Sequence, residues 1–298
     1  MNQKCGFIAL VGLTNAGKST LVNRLVGSKI SIVSRKVQTT RRRILGIQIQ
    51  DDSQLVFVDT PGIFTPRKTL DKSMVRSAWS AVGEADSIVV LVDVQRLNLE
   101  DQVALLDRVL KAEKPTYLAL NKIDQVEKTK LLELADSLNR GRSLKKTFMI
   151  SALKGQGVQD LLLELARTAP EGPWHYPEDQ LTDLPLRLMA SEMTREKVFD
   201  NLHQELPYAI AVETEAWEPF DNGSLKICQV IHVQKPNQKA IVLGKRGETI
   251  KRISAQARQE IEAFLDQKVH LFLHVRVTER WNEDVSQYEA LGLEGPGR

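Results

Sequence analysis

Residues 12–19 read Gly-Leu-Thr-Asn-Ala-Gly-Lys-Ser and directly follow the apolar run Phe-Ile-Ala-Leu-Val at 7–11. A helix-like segment comes next, so the two glycines lie where a buried strand turns into a helix. They let successive backbone N–H groups and the helix N-terminus point at phosphate oxygens. The lysine supplies positive charge to the outer phosphates, and the serine hydroxyl can ligate Mg²⁺. The predicted phosphate contacts are Gly12, Asn15, Ala16, Gly17, Lys18, Ser19 and Thr20.

A second apolar run, at 116–120, is followed by Asn121-Lys122-Ile123-Asp124. This tetrapeptide predicts which base the site recognises, namely guanine. The Asp124 carboxylate can accept from both N1–H and the 2-amino group of guanine, whereas adenine would leave this charge unpaired. A site of this kind rejects the wrong partner by roughly 10⁴-fold. We expect Asn121 to tie this loop to the phosphate loop and the stem of Lys122 to cover one face of the base.

A third segment, Ser151-Ala152-Leu153, follows the strand-like run 147–150. Its backbone N–H groups can point at guanine O6. The tripeptide is a weak signal alone and gains weight from the two motifs before it. The predicted contacts to guanine are Asn121, Lys122, Asp124, Ser151 and Ala152.

Between these motifs, Asp59-Thr-Pro-Gly62 closes the strand-like run 55–58. This position brings the aspartate beside the metal, through water, and the glycine N–H near the γ-phosphate. Thr40 can lend its hydroxyl to Mg²⁺ only while a triphosphate is bound, and Thr39 is the alternative. The residues expected in catalysis are Lys18, Thr40, Asp59 and Gly62; those expected around Mg²⁺ are Ser19, Thr40 and Asp59.

Composition is that of an ordinary globular protein of about two domains, with 298 residues, 42% apolar and 27% charged residues. Two cysteines, Cys5 and Cys228, provide no disulfide framework, so we expect both to be reduced. The first strand starts almost at once, and no apolar run approaches the ~20 residues of a membrane helix. These features favour a cytoplasmic protein. Because the net charge is only +3, nucleic-acid binding would need local concentration of charge.

Apolar runs alternate with amphipathic stretches through residue 169, which predicts an α/β sheet with helices on both faces. Alternation at 44–50 and a turn at 51–53 predict that this strand pairs antiparallel with 55–58 at one edge. The sheet is therefore expected to be mixed and mostly parallel. The remaining strands are predicted at 7–11, 87–93, 116–120 and 147–150, and the helices from 18 and at 70–83, 100–111, 127–138 and 158–168.

Three prolines and a glycine between 170 and 177 predict a semi-rigid linker, placed at 170–184, between a first domain at 1–169 and a second at 185–298. In the second domain Gly244-Lys-Arg-Gly247 separates the apolar run 241–243, read as a strand end, from an amphipathic helix at 248–265. This pattern is typical of a KH module that clamps single-stranded RNA, although a G-x-x-G string can also be a plain turn. The predicted RNA contacts are Gly244, Lys245, Arg246, Gly247, Lys251 and Arg252. The other second-domain elements are predicted as a helix at 187–203 and strands at 208–216, 225–234 and 269–277.

The whole chain resembles the Era-type GTPases. The likeness is carried by the motifs above and by Lys29-Ile-Ser-Ile-Val-Ser34, Gln38-Thr-Thr-Arg41 and Met189-Ala-Ser-Glu192. It implies an α/β P-loop GTPase domain with a mixed, mostly parallel sheet, followed by an α+β type II KH domain with a C-terminal extension. In that extension Trp281 is expected to anchor a helix on the KH core.

The resemblance also implies a function. Members hydrolyse GTP to GDP and phosphate with Mg²⁺, bind the 3′ region of small-subunit ribosomal RNA and assist maturation of the small ribosomal subunit. They are cytoplasmic and sometimes peripheral at the inner membrane, and we expect a monomer. Two alternatives stay open: an RNA-binding scaffold whose nucleotide site is structural, and a membrane-peripheral or cell-cycle GTPase.

Two positions bear on the rate of hydrolysis. Ile63 stands where many switch GTPases have a glutamine that orients water, so we expect slow intrinsic turnover. Asn15 matches the asparagine with which several relatives hold an activating K⁺. The family loop usually has proline before it and valine after it, whereas this chain has Thr14 and Ala16, which puts the rigidity of a K⁺ site in doubt. The basic run 35–43 favours a solvated loop; a catalytic arginine or an RNA contact is the alternative.

Overall fold

The computed structural model describes residues 3–34, 36, 39–66, 69–96, 98–202 and 210–279. The chain forms two compact units. The first comprises 1–31, 40–67 and 74–183, and the second comprises 32–39, 68–73 and 184–298. The short segments 32–39 and 68–73 thus belong with the second unit although they lie in the first half of the sequence.

The first unit is built on a six-stranded sheet with the strand order β2-β3-β1-β4-β5-β6. Strands β2 and β3 pair antiparallel at one edge and all other neighbours are parallel, which confirms the mixed, mostly parallel sheet. The strands are β1 (Lys4–Gly12), β2 (Ile44–Gln50), β3 (Ser53–Asp59), β4 (Ser87–Asp93), β5 (Thr116–Asn121) and β6 (Lys146–Ile150). The helices are α1 (Lys18–Val26), α2 (Thr69–Glu84), α3 (Leu99–Leu110), α4 (Lys128–Asn139) and α5 (Val158–Thr168).

The central strands read as continuous apolar runs because both of their faces are buried, as in Ser87–Asp93, where six of seven residues are buried. Parallel strands present their carboxyl ends at the same edge of the sheet. The loops after β1, β3, β5 and β6 therefore gather at one edge, and these loops carry the predicted phosphate, metal and base motifs.

Residues 170–183 are hydrogen-bonded along the first unit. The Cys5 N–H donates to the carbonyl of Pro170 at 3.1 Å. The Gln54 side chain accepts from two successive N–H groups of this segment, at 2.9 and 3.0 Å. The Ile47 N–H donates to the Leu181 carbonyl at 2.9 Å. The proline-rich stretch is thus fixed on the outside of the sheet, and the compact units divide after Asp183.

The second unit has a three-stranded sheet, β7-β8-β9, in which β7 is antiparallel and β9 parallel to β8. Helices α6 and α8 pack on it. This is the α+β type II KH arrangement that was expected. Its elements are α6 (Leu186–Asn201), β7 (Ala211–Pro219), β8 (Leu225–Val233), α7 (Pro236–Leu243), α8 (Glu248–Leu265) and β9 (Val269–Val277).

One element differs from the sequence-based expectation. The apolar run before Gly244 ends a helix, α7, rather than a strand. Pro236 occupies the first helical turn, where its missing N–H costs nothing. The Gln238 side chain folds back to accept from the N–H groups of Gln234 and Lys235 at 2.8 and 3.1 Å, so a capping device starts the helix.

No helix within the described part of the chain is long and apolar enough to cross a membrane. Several expectations lie outside the described residues. They are those for Arg35, Gln38 and Trp281, for the helix end at 203, for the strand start at 208–209 and for the C-terminal extension from 280 onwards.

Candidate functional site

The phosphate loop joins β1 to α1, and its Ala16 N–H donates to the Leu13 carbonyl at 3.3 Å. Helix α1 begins at Lys18, and no side chain caps its N-terminus. Gly17 has a φ of 98° and Asn15 a φ of 63°, a left-handed conformation that is uncommon for residues other than glycine. The first N–H groups of a helix have no partner within the helix. The loop therefore presents a set of backbone donors suited to phosphate oxygens.

Asn121 links three loops of the site. Its Nδ2 donates to the Ala16 carbonyl at 2.8 Å, and its Oδ1 accepts from the Ala152 N–H at 2.9 Å. The side chain is 2% exposed. A Cβ on Gly17 would lie 2.3 Å from Asn121 Nδ2, so only glycine fits there. The loop after β5 thereby fixes the phosphate loop and the 151–153 loop in one arrangement.

The Lys18 side chain is buried against the phosphate loop. Its Nζ donates to the carbonyls of Gly12 and Leu13, both at 3.1 Å, and the residue is 6% exposed. Burial lowers the Lys18 pKa from its usual value to about 8, and the nearby Asp59 carboxylate opposes this shift. The Lys18 ammonium is therefore mostly protonated at pH 7 and loses its charge as the pH rises through about 8.

We expect GDP binding to take up a proton as the pH rises through 8. Lys18 in the empty site deprotonates near pH 8, whereas adjacent phosphate charge raises its pKa in the complex. Binding should take up about 0.1 proton at pH 7 and about 0.8 at pH 8.5, with about fourfold weaker affinity at the higher pH. Calorimetric titration of GDP in buffers of different ionisation enthalpy measures this uptake. Uptake that stays constant over this range contradicts the assignment.

Three oxygen groups predicted around Mg²⁺ meet in the structure. Ser19 Oγ lies 2.7 Å from Thr40 Oγ1 and donates to Asp59 Oδ2 at 2.8 Å. Thr40 Oγ1 lies 3.4 Å from the same carboxylate oxygen. Thr39 points elsewhere, since its hydroxyl donates to the Lys36 carbonyl at 2.9 Å. The geometry favours Thr40 over Thr39 as the metal ligand.

The Asp59 carboxylate has one oxygen, Oδ1, that could bind a metal ion or a water. It is fully buried, and its Oδ1 accepts no hydrogen bond. Burial raises the Asp59 pKa, while hydrogen bonds from Ser31, Ser19 and Thr40 and the charge of Lys18 oppose the shift. Hydroxyl and carboxylate oxygens are the ligands that Mg²⁺ prefers. The residues present therefore fit Mg²⁺, directly or through water.

Two supporting residues in this cluster were not predicted. Ser31 is 1% exposed and its hydroxyl donates to Asp59 Oδ2 at 2.7 Å. Asn23 on α1 holds Ser31 by accepting its N–H at 2.9 Å and donating to its carbonyl at 2.7 Å. Ser31 lies within the 29–34 stretch that carried the family resemblance, which was the available signal.

Gly62 lies against the phosphate loop, as a γ-phosphate contact requires. A Cβ there would lie 2.9 Å from Thr14 Cα. The Ile63 N–H donates to the Gly12 carbonyl at 3.1 Å, and its side chain packs against the hydrophobic core. An aliphatic side chain that packs on the core cannot orient a water.

At the base end, Asp124 is exposed and held for recognition. Hydrogen bonds from the Ser151 hydroxyl and from Gln125 lower its pKa, so the carboxylate stays ionised. Lys122 has a left-handed backbone and forms an ion pair with Asp93, which is 6% exposed. Asp93 is a further residue that was not predicted. It fixes the lysine whose stem is expected to cover the base.

The 151–153 loop differs in detail from the prediction. The Ser151 N–H donates to the Gln156 carbonyl at 2.9 Å, and the Ala152 N–H donates to Asn121. To donate to guanine O6, the Ser151 N–H or the Ala152 N–H must share or lose the hydrogen bond that it makes within the protein. Arg24 on α1 holds the other side of the loop, donating to the carbonyls of Ala152 and Leu153 at 3.3 and 2.6 Å.

The 244–247 loop of the second unit presents two cations. Lys245 and Arg246 are exposed between the two glycines. Arg246 has a φ of 53°, which costs a non-glycine residue on the order of 1 kcal/mol. A Cβ on Gly244 would lie 2.1 Å from Thr249 Oγ1. The loop thus enters α8 in a strained conformation that requires a glycine at position 244.

The two further predicted RNA contacts lie in the first two turns of α8, after this loop. Lys251 and Arg252 are both exposed, and Arg252 donates to Asn201 Oδ1 at 2.6 Å.

In the described part of the basic run, residues 36 and 39–43, the cations are largely buried or hydrogen-bonded, which differs from the solvated loop that was expected. Arg41 is 6% exposed, and Nε and Nη1 of Arg42 are buried without a hydrogen-bond partner. Lys36 donates to the carbonyls of Phe199 and Leu202. Sequence alone could not show the Lys36 contacts, because Phe199 and Leu202 lie more than 160 residues along the chain.

Comparison with known families finds two matches within the chain. Residues 7–122 match the family model described as 50S ribosome-binding GTPase, and residues 205–282 match the KH domain model. The two matches correspond to the two kinds of site described above.

Whole-chain relatives carry the name GTPase Era. The protein from Rhizobium meliloti is 54% identical over 293 residues, 98% of this chain and 94% of the relative, and that from Agrobacterium fabrum is 53% identical over 98% and 92%. An Aquifex aeolicus Era variant bound to GDP.AlF4- aligns with a TM-score of 0.93 and 38% identity over 98% of this chain and all of that one. Era in complex with MgGDPNP and nucleotides 1506–1542 of 16S ribosomal RNA aligns at 0.92 and 38%, over 98% and 99%.

Proposed function

The chain belongs to the Era family of GTPases, and we propose that it is a switch that hydrolyses GTP and binds the 3′ region of small-subunit ribosomal RNA. That RNA contact supports a role in maturation of the small ribosomal subunit. The observation that carries the proposal is the joint geometry of Ser19, Thr40 and Asp59, whose oxygens converge within hydrogen-bonding distance beside an open phosphate loop.

The residues have distinct tasks. Backbone donors of the phosphate loop and Lys18 hold the β- and γ-phosphates, and the Gly62 N–H meets the γ-phosphate. Ser19 and Thr40 would hold Mg²⁺, with Asp59 acting through water. Mg²⁺, when bound, supplies positive charge that neutralises the negative charge developing on the phosphate oxygens. Asp124 reads the N1–H and 2-amino group of guanine, and Lys122 covers the base.

The second unit supplies the RNA contact. Gly244 and Gly247 admit the RNA backbone closely, and the exposed Lys245 and Arg246 flank its phosphates. Ile241 on α7, 52% exposed, adds apolar surface beside the loop on which a base can rest. Lys251 and Arg252 extend the positive charge along α8.

A scaffold with a purely structural nucleotide site is the second candidate. The metal cluster argues against it. The buried Asp59 carboxylate has one oxygen without a hydrogen-bond partner, which destabilises the protein. A scaffold would gain nothing from keeping Ser19, Thr40 and Asp59 arranged for a metal ion whose remaining ligands come from a nucleoside triphosphate.

The test is GTP turnover with and without a short single-stranded RNA copied from the 3′ end of small-subunit ribosomal RNA. Because Ile63 cannot orient water, we expect slow turnover alone and faster turnover with the RNA. RNA binding without any turnover in the native protein would establish the scaffold instead. Turnover that no RNA changes would contradict the coupling of the two activities.

The same assay in potassium and in sodium tests Asn15 as a K⁺ ligand. We expect faster turnover in potassium and loss of the difference in Asn15→Ala. Equal rates in both salts would leave Asn15 as a residue that shapes the loop.

A cytoplasmic location, a peripheral contact at the inner membrane, a monomeric state and the domain limits 1–169, 170–184 and 185–298 remain predictions.

A further inference from the structure

Segment 32–39, which leads into the metal ligand Thr40, is held by α6 of its own unit. The Val33 N–H donates to Glu196 Oε1 at 2.8 Å. At the other end of the segment, Arg195 Nη2 donates to the Thr39 carbonyl at 2.6 Å. These contacts fix both ends of a stretch that has no regular secondary structure at its described positions.

Arg195 is built into α6 as a rigid group. Its Nε donates to Glu192 Oε1 at 2.8 Å, and its Nη2 pairs with the other carboxylate oxygen of Glu192. The guanidinium lies 5.2 Å from the ring centroid of Phe199, and the residue is 2% exposed. A bidentate pair and a ring contact leave the guanidinium one orientation. The Thr39 carbonyl accordingly has a defined partner.

The Thr39 carbonyl and the Thr40 N–H belong to one planar peptide group, so a hydrogen bond that fixes the carbonyl also fixes the backbone orientation of Thr40. Thr40 Oγ1 then lies 2.7 Å from Ser19 Oγ. We propose that Arg195 is a positioning residue for GTP hydrolysis, which holds the Thr39 carbonyl so that the Thr40 hydroxyl faces the metal site. This inference rests on the proposed role of Thr40, and it assigns a task in the nucleotide reaction to a residue of the KH-containing unit.

The test replaces the pair with uncharged groups of similar size, Glu192→Gln with Arg195→Met, so that no buried carboxylate is left unpaired. The Thr39 carbonyl then loses a charged donor, which makes one of the stronger kinds of hydrogen bond in a protein. We therefore expect the Mg²⁺ concentration for half-maximal turnover to rise and kcat to fall, each by about tenfold or more. KM for GTP and the affinity for GDP should change less than about threefold, because Lys18 and Asp124 are untouched.

A second readout needs neither metal nor nucleotide. In the empty protein, backbone hydrogen exchange measured by mass spectrometry over residues 39–44 should be about tenfold faster in the double variant. Arg195→Lys keeps a cation near the Thr39 carbonyl but loses the bidentate pair with Glu192, so it should recover only part of kcat. The matched control is Asp136→Asn with Arg140→Met, an exposed ion pair on α4, which should change none of these quantities.

Native exchange over 39–44 together with native Mg²⁺ dependence in the double variant would overturn the proposal. Equal losses of kcat and GDP affinity, with faster exchange throughout α6, would also overturn it, because they would show a purely structural role. If the native protein does not hydrolyse GTP, the proposed function fails while the exchange measurement still decides whether Arg195 orders the segment.

Discussion

Asp124→Asn is expected to lower the affinity for GTP by at least about 10²-fold and to make xanthosine triphosphate the preferred nucleotide. The native carboxylate accepts from two guanine donors. The amide in Asp124→Asn would present one acceptor and one donor group. Its NH₂ would face the guanine 2-amino group, which is also a donor, whereas it can donate to the 2-oxo group of xanthine. Asp124 is exposed, and the amide oxygen of the variant can still accept from the buried Ser151 hydroxyl, so the nucleotide-free protein should keep its structure.

Competition titrations with labelled GTP and xanthosine triphosphate measure the change in preference. The variant should hydrolyse xanthosine triphosphate at a rate close to that of the native protein with GTP, since the metal cluster is unchanged. Asp136→Asn, the same substitution at a 69% exposed position on α4, serves as the control. Native GTP affinity in Asp124→Asn would show that another group reads the base.

Local patterns made most of the first unit predictable. The buried parallel strands give unbroken apolar runs. The sequence of β2 alternates apolar and polar residues at 47–50, although the structure buries residues 44–47 in succession. The phosphate loop and Asp124 follow buried parallel strands directly, so their place in the fold follows from the pattern alone. Gln38-Thr-Thr-Arg41 narrowed the metal ligand to two threonines, and only the three-dimensional arrangement separates Thr40 from Thr39.

The residues that sequence reasoning missed act over long separations. Ser31 meets Asp59 across 28 positions, Arg24 meets Ala152 across 128, and Arg195 meets Thr39 across 156. Periodicity reports only which face of an element is buried, not which distant group lies there. Helix α7 is a different case, because its start signals, Pro236 and Gln238, were present in the sequence but were outweighed by the strand-like run 241–243.

We expect charge reversal at the KH loop to weaken RNA binding by more than about tenfold. The variant is Lys245→Asp with Arg246→Asp. Both side chains are exposed and lie between glycines that admit a backbone closely. Two anions there repel phosphates that two cations attracted. The slope of log K against log salt should shrink by about 0.7 for each phosphate that the protein no longer neutralises. Aspartate also tolerates the left-handed backbone of Arg246, so the loop shape should survive.

Nucleotide binding should be unchanged in this variant, because no residue of the phosphate loop or guanine pocket is altered. Lys128→Asp with Lys130→Asp, two exposed lysines of α4, makes the same change in net charge away from the loop and should retain RNA affinity. Titrations of labelled RNA and labelled GDP on both variants separate local from overall charge. Retained RNA affinity in the loop variant would identify Gly244 to Gly247 as an ordinary turn, and equal losses of affinity in both variants would mean that RNA senses only the net charge of the protein.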